Sequence, residues 1–102
     1  MQTNSSKNEQ QPISRFALGQ TYITPGAEDA LMIAGQTALE FLRRHMSCDF
    51  GELSDEDLCE NEFALRSGFR LLSAYRTCRG DRLWIITEAD RSATTIILPS
   101  EY

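Results

Sequence analysis

The chain has 102 residues, with 10 Lys and Arg against 15 Asp and Glu and a formal net charge of -5 at pH 7. This length suits one hydrophobic core and excludes a catalytic domain joined to a separate binding domain. The acidic balance argues against direct binding to nucleic acid, because affinity for phosphate requires a basic surface. The sequence shows neither a run of roughly 18 apolar residues nor a secretory signal, so we predict a cytoplasmic protein without a membrane partner.

The first elements can be placed in chain order. Residues 1–14 are almost entirely polar and predict a disordered tail, followed by a single domain over residues 15–102. Residues 15–23 have the pattern of a strand that Gly19 interrupts, which indicates a bulge or a close approach of backbone. Thr24 and Pro25 then suit the N-cap and first position of a helix that ends at Gly35.

Two more helices are predicted. Thr37 and Glu40 have the spacing of a capping box, and the second helix would bury a face that carries Leu39, Leu42 and Met46. The third helix would run from a cap at Ser54 to Gly68, with the acidic residues of its first turn at the positive end of the helix dipole. Its apolar arc comprises Leu58, Cys59, Phe63 and Leu65.

Glu62 and Arg66 fall inside that apolar arc. They are four residues apart, so they can form an intrahelical pair at the edge of the core. Alternatively, Glu62 faces an arginine of the sheet.

The C-terminal third predicts a three-stranded antiparallel meander. Residues 69–77 alternate as one strand, and residues 83–98 form two β-branched and aromatic runs around a polar tip. We therefore predict an α+β domain: an N-terminal strand, three short helices, then the meander, with the helices on one face. The hairpin residues predicted for the core are Trp84, Ile85, Ile86, Ile96, Ile97 and Leu98.

Several runs resemble a short bacterial family, most specifically residues 84–95 and also residues 24–27, 49–53 and 71–75. Its members are called plasmid-related proteins or type I restriction endonuclease subunit M. The resemblance covers nearly all of residues 16–102 and implies a bacterial, plasmid-related origin, but no activity or catalytic residue. The chain departs from the family pattern in Phe50, where tryptophan is usual, and in its cysteines. The restriction-subunit label conflicts with a short chain that lacks a glycine-rich cofactor loop.

Metal and nucleophile chemistry receive little support. His45, Cys48, Cys59 and Cys78 could supply a Cys3His zinc site, but only one close pair exists, so we predict reduced thiols and no metal or other cofactor. The single histidine has no evident orienting partner in the sequence, which argues against a catalytic triad.

Two groups of polar residues remain as candidate sites. Residues 49–62 contain seven acidic residues and no Lys or Arg, which suits either solubility or a basic partner. Residues 88–92 place two carboxylates beside an arginine at the hairpin tip, which suits a tight turn or a small binding site. The candidate binding residues are Asp55, Glu56, Glu60, Glu88, Asp90, Arg91 and Tyr75.

Two functions follow from these features. The preferred one is a small acidic, non-enzymatic accessory protein that binds a basic protein surface, with inhibition of a restriction or CRISPR-type nuclease as its boldest form. A row of helical carboxylates can imitate the charge of a nucleic-acid backbone, although this row is too short for a full-length mimic. The alternative is a small enzyme or ligand binder that uses the hairpin tip and Tyr75. The oligomeric state does not follow from the sequence.

Overall fold

The computed structural model describes residues 14–102, which form an α+β domain with three helices and one four-stranded mixed sheet. Apart from Ser14, the predicted tail lies outside the described residues. The elements in chain order are β1 (Gln20–Ile23), α1 (Pro25–Ala34), α2 (Ala38–Met46), α3 (Asp55–Ser67), β2 (Leu71–Arg76), β3 (Arg82–Thr87), β4 (Ala93–Ile97) and a 3-10 turn (Pro99–Glu101).

The sheet has the strand order β1-β4-β3-β2. Strands β2, β3 and β4 pair antiparallel in sequence order, whereas β1 pairs parallel with β4, from Gln20 opposite Ala93 to Ile23 opposite Ile96. The predicted three-stranded antiparallel meander is therefore corrected to a four-stranded mixed sheet, in which the N-terminal strand pairs with β4. The parallel pair is possible because the intervening helices and strands return the chain to the same end of the sheet.

The helix ends agree with the sequence. The side chains of Thr24, Thr37 and Ser54 each accept a hydrogen bond from the backbone N–H three residues later, as N-caps do. Gly35 and Gly68 end α1 and α3 as predicted. Local hydrogen-bonding chemistry thus determines where these helices begin and end.

The predicted buried faces of α2 and α3 are wrong in part. In α2 the buried residues are Phe41 and His45, while Leu39 is exposed. In α3 they are Asn61 and Ala64, while Phe63 is 54% exposed. The buried face of each helix therefore differs from the face that its apolar residues define. The reason is that each helix directs a polar side chain, His45 in α2 and Asn61 in α3, toward hydrogen-bond partners in the sheet.

Cys59, Glu62 and Arg66 also lie outside the buried arc of α3. All three are exposed. Neither Glu62 nor Arg66 belongs to the three ion pairs that residues 14–102 form. Their placement inside the apolar arc was wrong.

The main core lies between the helices and one face of the sheet. From the sheet it takes Tyr75, Leu83, Ile85 and Ile96; from α1 and α2 it takes Ala27, Leu31 and Phe41. A second cluster joins Ala64 of α3 and Phe50 to Leu71 of β2. Burying a large apolar side chain contributes about 1.5–3 kcal/mol, so these contacts hold the helices on this face.

The opposite face of the hairpin is covered less completely. Ile86 is buried there, but Trp84 and Ile97 are only half-buried, which corrects their assignment to the core. Leu98 is also half-buried, but it packs against the main core on the helix side. The 3-10 turn brings the C-terminal Tyr102 against Trp84, with ring centroids 5.7 Å apart in an edge-to-face arrangement.

The two edges of the sheet differ. The outer edge of β2 is covered by residues 50–52: Ala74 donates to the Phe50 carbonyl and accepts from the Glu52 N–H. Gly51 has φ +77, and a Cβ there would lie 2.1 Å from the Ala74 carbonyl oxygen, so only glycine fits. At the other edge all four residues of β1 are exposed.

Gly19 precedes β1 at the close backbone approach that the sequence predicted. A Cβ there would lie 2.3 Å from the backbone of Ser92. Within residues 14–102, every helix is too short or too polar to span a bilayer.

Candidate functional site

The predicted acidic residues lie on the first two turns of α3. Asp55, Glu56 and Glu60 are all exposed there. The hydroxyl of Ser54 caps the helix by accepting from the N–H of Asp57 at 3.1 Å, so the carboxylate side chains are not needed as caps. Charges in the first turn, such as those of Asp55 and Glu56, stabilise a fold by only about 0.3–1 kcal/mol each through the helix dipole.

Two of the seven acidic residues in the segment 49–62 form ion pairs with arginines of the same domain. Asp49 binds Arg44 at 2.8 Å, and Glu52 binds Arg76 at 3.3 Å. The Arg44 guanidinium lowers the pKa of the Asp49 carboxyl. Five carboxylates remain exposed and outside the ion pairs formed by the described residues; they are Asp55, Glu56, Asp57, Glu60 and Glu62.

Arg91 at the hairpin tip is directed into the protein. It has a left-handed backbone with φ +61, and its Nη1 donates to the Phe69 carbonyl at 2.7 Å. Its Nη2 donates at 3.1 Å to the carbonyl of Ala64, in the last turn of α3. Two further bonds, to the Glu88 and Ala89 carbonyls, close the tip itself. Arg91 therefore ties the tip to the end of α3.

The remaining candidates from the sequence are placed apart. Asp90 is exposed, and its Oδ1 accepts from the N–H of Ser92 at 3.0 Å in a tight turn. Hydrogen bonds to the Ser92 side chain and to its backbone N–H lower the pKa of the Asp90 carboxyl. Glu88 pairs with Arg70 at 3.5 Å. Tyr75 is 2% exposed and lies toward the other end of β2, where its hydroxyl donates to the Asp49 carbonyl. The structure does not bring Tyr75 to the hairpin tip.

An open groove of about 590 Å³ lies between α3 and β2 and includes one of the predicted residues. We call it the α3 groove. Its apolar lining includes Phe63, Phe69 and Leu72, and Asp57 and Glu60 supply carboxylates from α3. This volume lies in the range of about 300–1,000 Å³ that is typical of ligand pockets.

Two phenylalanines form an exposed apolar wall of the α3 groove. The rings of Phe63 and Phe69 stack with centroids 5.7 Å apart and planes 17° from parallel. Each side chain remains 54% exposed. Exposed apolar surface of this kind, with polar groups around it, is typical of an interaction site.

Asn61 forms the inner side of the groove and was not identified from the sequence. Its Nδ2 donates to the Leu72 carbonyl at 2.6 Å, and its Oδ1 accepts from the Leu72 N–H at 3.2 Å. The amide therefore occupies the position of a neighbouring strand at the edge of β2. No pattern in the sequence of α3 distinguishes Asn61 from an exposed helical asparagine, because its partners lie on a distant strand.

His45 is buried and has orienting partners that the sequence did not reveal. Its Nδ1 meets the Ser73 hydroxyl, and its Nε2 lies 2.9 Å from the Thr87 hydroxyl. Ser73 and His45 thus resemble a nucleophile and its base. Both are fully buried, and a neutral threonine stands where a triad has a carboxylate, so the pair has the geometry of a structural network.

The cysteines are dispersed. Cys59 lines the α3 groove, Cys48 is half-buried, and the thiol of Cys78 donates to the Ala34 carbonyl. Among residues 14–102 no three His, Cys, Asp or Glu side chains are placed to hold a metal ion together.

Comparisons with protein-family models, curated proteins and solved structures found no match to this chain. The resemblance to the plasmid-related family stays a prediction. Function is therefore argued from the site alone.

Proposed function

We propose that the protein is a non-enzymatic binding module that holds a basic segment of another protein in the α3 groove. The observation that carries this proposal is an open apolar groove beside carboxylates that have no ionic partner within the described residues. Burial of apolar surface favours association, and the carboxylates select the charge of the partner.

The fold does not require the exposed carboxylates of α3. Exposed ion pairs and helix-end charges contribute about 0–1 kcal/mol each, and one cap at Ser54 already serves the N-terminus of α3. Like charges on successive turns repel one another. A basic partner removes this repulsion and pairs with Asp57 and Glu60 at the groove.

Inhibition of a restriction or CRISPR-type nuclease is the boldest form of this proposal. From Asp55 to Glu60 the helix rises only about 7.5 Å, so the acidic surface can cover a small basic site and not a whole nucleic-acid channel. A DNA-cleavage assay with a purified nuclease tests this form directly. The parent protein should inhibit cleavage, and the variant with Asp55, Glu56 and Glu60 changed to their amides should not.

The hairpin-tip alternative has weaker support. The Arg91 guanidinium donates to backbone carbonyls, and the Asp90 carboxylate accepts a hydrogen bond within its own turn. Tyr75 is buried and lies away from the hairpin tip. These residues stabilise the fold in ways that leave few free groups for a ligand.

Affinity capture from the cells that make the protein tests the proposal. The amide variant combines Asp55→Asn, Glu56→Gln and Glu60→Gln. The matched control also removes three exposed charges, with Glu28→Gln and Asp29→Asn on α1 and Asp81→Asn in the turn between β2 and β3. We expect the amide variant to lose a basic partner that the parent and control retain, and the purified partner to bind it at least about tenfold more weakly.

Salt dependence provides the second measurement. Association with the purified partner should slow as ionic strength approaches 0.15 M, where the Debye length is about 8 Å. If the control loses the partner as fully as the amide variant does, total charge and not the groove explains binding. If Arg91→Ala abolishes capture while the amide variant and the fold are unaffected, the hairpin tip is the site.

A further inference from the structure

On the edge of β2 beside the α3 groove, the outward backbone groups of Leu72 and Ala74 are already satisfied. Leu72 exchanges both of its outward hydrogen bonds with the Asn61 amide. Two residues further along β2, Ala74 exchanges both of its bonds with residues 50 and 52. An extended peptide that binds to a sheet edge gains its affinity from such groups, and here they are not available.

We infer that the occupant of the α3 groove is an amphipathic α-helix with a basic flank. This inference rests on the function proposed above and specifies the form of the partner. A helix satisfies its own backbone hydrogen bonds, so it can enter a groove that offers apolar side chains and carboxylates but no free strand edge.

The groove also defines the pattern of the partner helix. Apolar side chains three and four residues apart lie on one helix face and would pack against Phe63, Phe69 and Leu72. Lysine or arginine beside that face would meet Asp57 and Glu60. Arg70 also lines the groove, but its guanidinium binds Glu88 and the Tyr102 hydroxyl. The charges that the groove offers to a partner are therefore negative.

Three synthetic peptides of about 14 residues test the helical form. The first places leucines at helical spacing among lysines and arginines. The second has the same composition with leucines at every second position, which suits a strand. The third is the first peptide with a central proline, which breaks a helix.

Binding is measured by fluorescence anisotropy, and peptide helicity by circular dichroism. We expect the first peptide to bind at least about tenfold more tightly than either other peptide and to gain helicity on binding. Phe63→Ser should remove most of this preference, whereas Met32→Ser, at another exposed apolar position on α1, should not. Alkylation of Cys59 should slow when the first peptide is bound, because this thiol lines the groove.

The outcomes separate this inference from the proposed function. Equal or tighter binding of the strand-patterned peptide, still dependent on Phe63 and Glu60, would overturn the helical form and leave the binding module intact. Peptide binding that is insensitive to Phe63→Ser and to Glu60→Gln would overturn both. A Phe63-dependent dimer of the protein alone, seen by sedimentation, would instead make a second copy the occupant.

Discussion

Arg91 and Ala64 are 27 positions apart in the chain, yet the Arg91 guanidinium donates a 3.1 Å hydrogen bond to the Ala64 carbonyl in the last turn of α3. The same guanidinium binds the Phe69 carbonyl at 2.7 Å. These bonds fix the turn at Gly68 between α3 and β2, and with it the spacing of Phe63 and Phe69. The hairpin tip therefore acts on the α3 groove as a structural support.

Arg91→Ala should destabilise the protein by about 1–3 kcal/mol, because several backbone carbonyls lose a charged donor. Arg91→Lys should recover only part of the loss, since an ammonium cannot reproduce the guanidinium fork. Denaturant midpoints measure both effects, with Arg66→Ala, an exposed arginine of α3, as the control. Equal midpoints for the Arg91→Ala variant and the parent would show that the tip is held without its guanidinium.

Element boundaries were predictable where local chemistry sets them. The N-caps at Thr24, Thr37 and Ser54 and the ends at Gly35 and Gly68 all appear as expected. Helix orientation was less predictable, because it depends on distant partners. Nothing within α3 indicates that the Asn61 amide will bind the backbone of β2, eleven residues later.

Asn61→Ala should cost about 1–3 kcal/mol, since it leaves the outward N–H and carbonyl of Leu72 without the amide. Asn61→Asp is the more informative substitution. It keeps an acceptor for the Leu72 N–H but places a carboxylate oxygen against the Leu72 carbonyl oxygen. We expect it to be at least as destabilising as alanine at neutral pH and less so in acid. Chemical denaturation at both pH values checks this, with Glu62→Ala as the control.

Ile85→Ala should cost about 2–5 kcal/mol, because Ile85 is fully buried against the helices and truncation leaves a cavity. Ile97→Ala should cost clearly less, since Ile97 is half-buried on the opposite face. The free energy of unfolding from urea titrations compares the two. A larger loss at Ile97 would mean that the opposite face holds the more important packing.

The candidate site was predictable only in its charges. The acidic residues of α3 are visible in the sequence, but the groove beside them depends on how Phe63 and Phe69 meet across the turn at Gly68. The structural role of Arg91 was not visible in the sequence for a related reason: its partners are backbone carbonyls, which leave no pattern of side chains. Hydrogen bonds to backbone therefore account for much of what the sequence does not reveal.

In the hydrogen-bond network around His45, the donor and the acceptor of each bond can be assigned. Thr94 donates its hydroxyl proton to the Leu18 carbonyl, so it must accept from Thr87. Thr87 in turn must accept from Nε2–H of His45, which leaves Nδ1 to accept from Ser73. The geometry therefore assigns a neutral, Nε2-protonated imidazole.

This network predicts an acid-sensitive fold. Burial, together with a smaller effect of the positive charge of Arg91, lowers the pKa of His45 from its ordinary 6.5 to about 4. Below pH 6.5 the unfolded chain takes up a proton that the folded protein does not, so stability falls as the pH drops from about 6.5 to about 4. A pKa difference of this size corresponds to a loss of about 3 kcal/mol across that range. Because His45 is the one histidine of the chain, the upper part of this range is separated from most carboxylate titrations.

Urea unfolding measured at intervals from pH 7 to pH 4.5 checks this prediction. The parent should lose stability steadily, and His45→Gln, which cannot take up the proton, should start less stable but show a much flatter profile. Thr87→Val removes one hydrogen-bond partner of the imidazole and should lower stability while keeping the slope, since the histidine remains buried. A parent profile as flat as that of His45→Gln would mean that the folded protein accepts the proton readily, and that His45 is less shielded than its contacts with Phe16 and Phe50 indicate.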